Sequence, residues 1–296
     1  MRVPFAIASA ILAILSIGYL FGASTKEDQP APVPAAAKPS TVAPLPMPEI
    51  ETEAEPDVFP LARLNPITGP DRPPLPDDEH GPHGSRRTTG TYEVALTFDD
   101  GPDPRWTPEV LDLLRQHRVK ATFCVVGMMV QEFPHLVREI ASEGHTLCNH
   151  SWGHDTRLGT RAYSAILDDM KRTNDAIRAA APGTRVSYFR HPGGAWTDTA
   201  VGAARSLGMS SLHWTVDPRD WGRPGARAIA AEVNQSTIPG AIVLLHDGGG
   251  DRRGTTEALR SILPNLAARY PLVALPPGVD PPRRHGFDLP IHLGQR

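Results

Sequence analysis

The stretch Val94-Ala95-Leu96-Thr97-Phe98-Asp99-Asp100-Gly101-Pro102 decides how the folded part of this chain is read. An apolar run stops on two adjacent carboxylates, and a Gly-Pro turn follows at once, which is the pattern of a buried strand ending in a sharp turn. Neighbouring residues on a strand point to opposite faces. Asp99 and Asp100 are therefore expected to take different roles at one strand mouth. Alone, the acidic pair fits a solvated turn or a helix cap equally well; histidines further along the chain decide between these.

Working outward, Glu93–Phe98, Ala121–Val126, Thr146–Asn149, Ser187–Arg190, Ser210–Val216, Ala241–His246 and Leu272–Leu275 read as strands. Between them Val110/Leu113/Leu114, Val130/Phe133/Val137/Ile140 and Ile166/Met170/Ile177 recur at helical spacing. Thr107-Pro108-Glu109 suits a helix start. Gly144, Gly183 and Gly208 each sit where a helix stops. Strands alternating with helices imply a parallel α/β architecture. Closure into a barrel does not follow from this pattern.

The first 90 residues have a different character. Residues 5–23 form an uncharged, mostly apolar segment between a signal-peptide core and a membrane span in length. An uncleaved anchor is the preferred reading over a cleaved signal, because the small-x-small cleavage pattern is poor. Residues 24–90 hold 15 of the 32 prolines and read as a linker unable to bury a core. The expected division is an anchor or signal over 1–23, a linker over 24–90, a catalytic domain over 91–276 and a tail over 277–296. The domain is thus expected outside the cell membrane, anchored in the envelope or secreted, with membrane contact only through 5–23. Residues 1–90 carry 7 Lys+Arg against 11 Asp+Glu, and residues 91–296 carry 23 against 22. A near-neutral domain without a basic stripe gives no case for nucleic acid. A monomer is expected. The two cysteines, Cys124 and Cys148, suit a disulfide in an exported protein, or two buried thiols on neighbouring strands.

The remaining chemistry lies in four blocks. His150-Ser151-Trp152-Gly153-His154 sets two imidazoles four residues apart, a spacing that on a helical turn grips one metal ion. With Asp100 this makes an open-sided site suited to Zn²⁺, although other divalent metals accept the same donors. Phe189-Arg190-His191-Pro192-Gly193-Gly194 offers a guanidinium and exposed backbone N–H groups. Asp217-Pro218-Arg219-Asp220-Trp221 and Ile242-Val243-Leu244-Leu245-His246-Asp247 complete the set. All of these groups fall at or just past expected strand C-termini, the end at which β/α barrels build active sites. That coincidence favours an enzyme over five unrelated surface features.

The blocks TFDDGP, HSWGH, RHPGG, DPRDW and IVLLH resemble the five motifs of the polysaccharide deacetylases, also called NodB-homology domains or family-four carbohydrate esterases. The resemblance spans residues 93–275. It implies a distorted (β/α) barrel of about seven parallel strands and a divalent metal, usually zinc, on Asp100, His150 and His154. By the same resemblance Asp99 is the general base, positioned by Arg190, and His246 is the general acid, oriented by Asp220. The backbone N–H of Gly193 would hold the oxyanion, and Trp221 with Leu244 would line the acetyl pocket. The family often carries an aromatic residue where this chain has Gly193, so a more open groove is expected, with Trp196 as the replacement wall.

The activity so implied is N-deacetylation of N-acetylglucosamine residues, with peptidoglycan favoured because of the anchor and linker, and chitin oligosaccharides second. An O-deacetylase of acetylated xylan and a catalytically inactive glycan-binding module are the alternatives.

Overall fold

The computed structural model describes residues 80–276. The anchor and tail segments, and most of the linker, lie outside the described residues. Among the described residues no helix is long and apolar enough to cross a membrane.

The chain runs β1 (Ala95–Asp99), α1 (Trp106–Gln116), β2 (Thr122–Val125), α2 (Gly127–Glu132), α3 (Pro134–Ser142), β3 (Thr146–Asn149), α4 (Tyr163–Ala180), β4 (Tyr188–Phe189), α5 (Asp198–Ser206), β5 (Ser210–Ser211), α6 (Ala226–Ser236), β6 (Ile242–His246) and α7 (Arg253–Arg269). The strands form one sheet in the order β5-β4-β3-β2-β1-β6, with every neighbouring pair parallel. This is a six-stranded half-barrel rather than a barrel of seven. Between β5 and β6 the gap is spanned by a single bridge, Val216 to Val243, and by residues 86–88, which bridge to Leu212 on one side and Ala241 on the other.

The seventh expected strand, Leu272–Leu275, makes only one bridge, to Val94. Its later backbone groups bond side chains instead: Leu275 N–H donates to Thr122 Oγ1 at 3.0 Å, and Leu275 O accepts from Thr146 Oγ1 at 2.6 Å. Because the segment crosses the N-terminal ends of β1, β2 and β3 rather than running alongside one of them, it cannot enter the ladder. Residues 80–90, assigned to the linker from composition, are part of the fold. Ser85, Arg86, Thr88 and Thr89 are buried there.

Strand alternation sorts the core into two faces. Leu96, Phe98, Phe123, Leu147, Phe189, Val243 and Leu245 belong to the large cluster that also holds the buried helix stripes. Ala95, Cys124, Cys148, Tyr188, Leu212, Ile242 and Leu275 form a smaller cluster on the opposite, inner face. Cys124 and Cys148 are in register across β2 and β3 and are joined by a disulfide.

Two local expectations change. The stripe Val130/Phe133/Val137/Ile140 is split between α2 and α3 at Phe133, whose φ of −123° and ψ of 55° are non-helical. Pro134 disfavours the helical region for the residue before it. Ahead of the first helix, Asp103 Oδ1 accepts from the N–H groups of Arg105 and Trp106, and Thr107 is already inside the helix rather than capping it.

Candidate active site

Each inner-face row ends in a polar group. On β1 the row is Ala95, Thr97, Asp99; on β6 it is Ile242, Leu244, His246. On β3 it runs Thr146, Cys148 and on to His150, and on β4 Tyr188 and on to Arg190. The register sets Asp99 beside His246. The four terminal groups therefore converge at the C-terminal mouth, above the apolar inner cluster.

Asp100 joins them through its backbone. Its φ of +72° places it in the left-handed region, where aspartate is among the few non-glycine residues tolerated. That turn breaks strand alternation and brings its carboxylate to the same side as Asp99. His150 Nε2 lies 3.5 Å from Asp99 Oδ2 and 3.4 Å from Asp100 Oδ1. His154 Nε2 lies 3.1 Å from the same Asp100 Oδ1. The HSWGH block is a loop, not the helical turn expected from its spacing, with Ser151 and His154 also at positive φ.

Arg190 is fully buried, and its guanidinium makes four hydrogen bonds. It donates to Asp99 Oδ1 at 2.7 Å, Thr97 Oγ1 at 2.9 Å, Leu212 O at 3.2 Å and His213 O at 3.1 Å. A buried charge is tolerated only with such pairing. Its own carbonyl accepts from His150 Nδ1 at 2.8 Å, so Nε2 is the His150 nitrogen turned toward the carboxylates, and it becomes a ligand on losing its proton.

At the other side of the mouth, Asp220 is buried and bonds His246. Its Oδ1 accepts from His246 Nδ1 at 2.7 Å, and its Oδ2 accepts from the His246 N–H and from Thr255 Oγ1 at 3.0 and 2.7 Å. Leu244 is buried on the inner face two residues before His246, whereas Trp221 is 55 % exposed. Gly193 lies in a tight turn directly after β4, with Thr156 its nearest neighbour on the side a Cβ would take. Trp196 is no groove wall. It is buried against Phe189 and His191 and donates to His213 Nδ1 at 3.1 Å. Trp214, which drew no notice in the sequence, is the aromatic that covers this turn, its ring 2.6 Å from where a Gly194 Cβ would sit.

The donor set fits a divalent cation. Asp100, His150 and His154 present ligand atoms within 4.8 Å of one another. Among the described residues Asp100 Oδ1 is buried without a hydrogen bond, although two imidazole nitrogens are close by. Burial alone would raise the Asp100 pKa, but the His150 contact and the neighbouring imidazoles outweigh it and hold the carboxyl well below its usual range. Burial lowers the pKa of His154 and favours its neutral, ligating form. The His154 side chain is 38 % exposed, which leaves an open flank for water and substrate, as catalytic zinc sites have.

A family model for polysaccharide deacetylases matches residues 86–212. A chitooligosaccharide deacetylase of Bradyrhizobium sp. (strain ANU 289) is 41 % identical over 203 residues, covering 68 % of this chain and 89 % of the relative. The chain belongs to the polysaccharide deacetylase family. Among solved members, the peptidoglycan N-acetylglucosamine deacetylase Bc1960 is 34 % identical with a TM-score of 0.60, over 63 % of this chain and 87 % of that one. A family pseudoenzyme from Bacillus anthracis is 32 % identical with a TM-score of 0.57, over 62 % and 63 %. Polysaccharide deacetylases of this type are metal-dependent, which agrees with the donor set found here.

Proposed function

We propose that this chain is a metal-dependent N-deacetylase acting on N-acetylglucosamine residues of envelope or extracellular glycans. The observation that carries this reading is the convergence of Asp99, Asp100, His150, His154, Arg190, Asp220 and His246 at one mouth. Family membership alone would not suffice, since a pseudoenzyme has the same fold.

Asp100, His150 and His154 would hold the cation, Zn²⁺ by donor type. When bound, such an ion supplies Lewis acidity toward the acetyl carbonyl and toward water. Asp99 accepts the proton of the attacking water. Arg190 occupies only Oδ1 of that carboxylate, which leaves Oδ2 to act as base. The Gly193 N–H steadies the developing oxyanion. His246, tied through Nδ1 to Asp220, presents Nε2 to the leaving amine and delivers the proton without which an amine does not depart. Leu244 and Trp221 receive the acetyl methyl. Acetate and a free amino sugar result.

Peptidoglycan is the favoured polymer and chitin oligosaccharides the second. The relatives named above act on both kinds of glycan by name, and the choice rests on the apolar segment 5–23 and the proline-rich linker. On the same sequence features we read the domain as exported, with the Cys124–Cys148 disulfide suiting an oxidising side, and we take it as a monomer.

An acetate-release panel on peptidoglycan, chitin oligosaccharides and acetylated xylan tests the reading. Release from the N-acetylated substrates supports it. Activity confined to xylan would make the chain an O-deacetylase, and glycan binding without acetate release would make it an inactive module.

A further inference from the structure

We propose that Arg252 is a positioning residue for the Asp100 carboxylate, acting through the backbone of Gly248 and Gly249. The inference rests on the reading of Asp100 as a metal ligand.

The loop after β6 is the run Gly248-Gly249-Gly250. It lies directly against Asp100: a Cβ on Gly248 would fall 2.4 Å from Asp100 O, and a Cβ on Gly249 would fall 2.4 Å from Asp100 Oδ2. The loop thus covers the backbone of Asp100 and the carboxylate oxygen turned away from the histidines. Three successive glycines are the least self-restrained backbone a chain can offer. A wall made of them fixes a carboxylate only if something fixes the wall.

Arg252 does so. It is 4 % exposed, and it donates from Nε to Gly248 O at 2.6 Å and from a terminal nitrogen to Gly249 O at 3.1 Å. Among the described residues no carboxylate pairs with it. Its charge is spent on the two carbonyls of the residues that touch Asp100. Burying a guanidinium in this way is costly, and the arrangement makes sense as a rivet at the start of α7 holding the glycine wall in place. Groups that orient metal ligands from behind typically contribute about 10–100-fold in metal affinity.

The test is Zn²⁺ affinity of the full chain, measured by competition with a chromophoric chelator, which needs no turnover. Arg252→Met should weaken Zn²⁺ binding by about 10–100-fold. In an Asp100→Gly background, which removes the carboxylate and suits the left-handed backbone, the same change should have less than about a two-fold effect, since coupled sites are not additive. Arg252→Lys, which keeps one donor, should fall between, and it carries the comparison if Arg252→Met does not fold. Parental affinity in these variants overturns the proposal. So does an equal loss in both backgrounds, which would mean general loosening of the fold. A parent that binds Zn²⁺ but releases no acetate would count against the proposed activity and leave this result standing.

Discussion

Asp220 grips His246 at two points, accepting from the imidazole Nδ1 with one oxygen and from the backbone N–H of the same residue with the other. One contact holds the ring nitrogen that faces Asp220, and the other holds the backbone that carries the ring. Burial pulls the His246 pKa down, but the hydrogen bond and charge of Asp220, with Asp99 and Asp100 behind it, raise it overall.

Replacing that support should therefore shift the acid. In Asp220→Asn the raising influence is lost, so the alkaline limb of the pH–kcat profile should move to lower pH and kcat should fall. Thr255→Val, which strips Asp220 of one donor, should lower kcat more mildly, and Thr255→Ser should restore it. Rate profiles of the three variants check this; an unmoved alkaline limb in Asp220→Asn would remove His246 from the acid role.

Base and metal ligand should separate cleanly. Asp99→Asn should cost about 10²–10⁴-fold in kcat while Zn²⁺ still binds. His150→Ala should lose both metal and turnover. Metal analysis alongside acetate assays decides, and full activity in Asp99→Asn would refute the base assignment.

Metal binding should release protons. Burial lowers the His150 pKa, but Asp99 and Asp100 outweigh that effect and raise it. Zn²⁺ must then displace a proton that the acidic pair helps to retain. Affinity should weaken as pH falls, and calorimetric titration in buffers of different ionisation heats should report proton release. Binding independent of pH would count against His150 as a ligand.

Asp247 supplies a stability signature. Burial pushes its carboxyl from 3.8 up to about 7, and among the described residues only Thr107 donates a hydrogen bond to it. Between those values the folded chain keeps a proton that the unfolded chain has released. Its contribution therefore disfavours folding progressively as pH rises through that window. Asp247→Asn should flatten the fall in melting temperature from pH 4 to pH 7. An identical slope in both proteins would contradict this.

The disulfide spans 24 residues of sequence separation. Chain-entropy arguments put a closure of that length at roughly 3 kcal/mol. The Cys124→Ala/Cys148→Ala double variant should lose about that much in denaturant titrations. A negligible loss would place the benefit elsewhere.

Much of this was legible in residue order. Asp99, Asp100, His150, His154, Arg190, Asp220 and His246 stand at expected strand ends, and alternation alone would have added Thr97, two residues before Asp99 on the same face. The seventh strand failed because an apolar tetrad carries no information about whether it lies alongside a sheet or beneath it. The helical reading of His150 to His154 failed because a spacing of four satisfies a helix and a loop with left-handed corners equally. Trp196 is packed inward and Trp214 stands at the turn instead, a difference set by side-chain packing, which composition does not encode. Arg252 and Thr255 gave no signal, since each matters only through what it touches across the fold.

The left-handed corner at residue 100 limits how this centre can be altered. A carboxylate on a longer stem, or a branched neutral substitute, would meet a backbone that resists it before its chemistry was ever tried. Swaps of that ligand are therefore narrowed on conformational grounds to asparagine and histidine, the other donor side chains this region accepts. Engineering has more room at Arg252, behind a glycine wall that itself admits no Cβ, because the support of Asp100 can be altered there without replacing any donor.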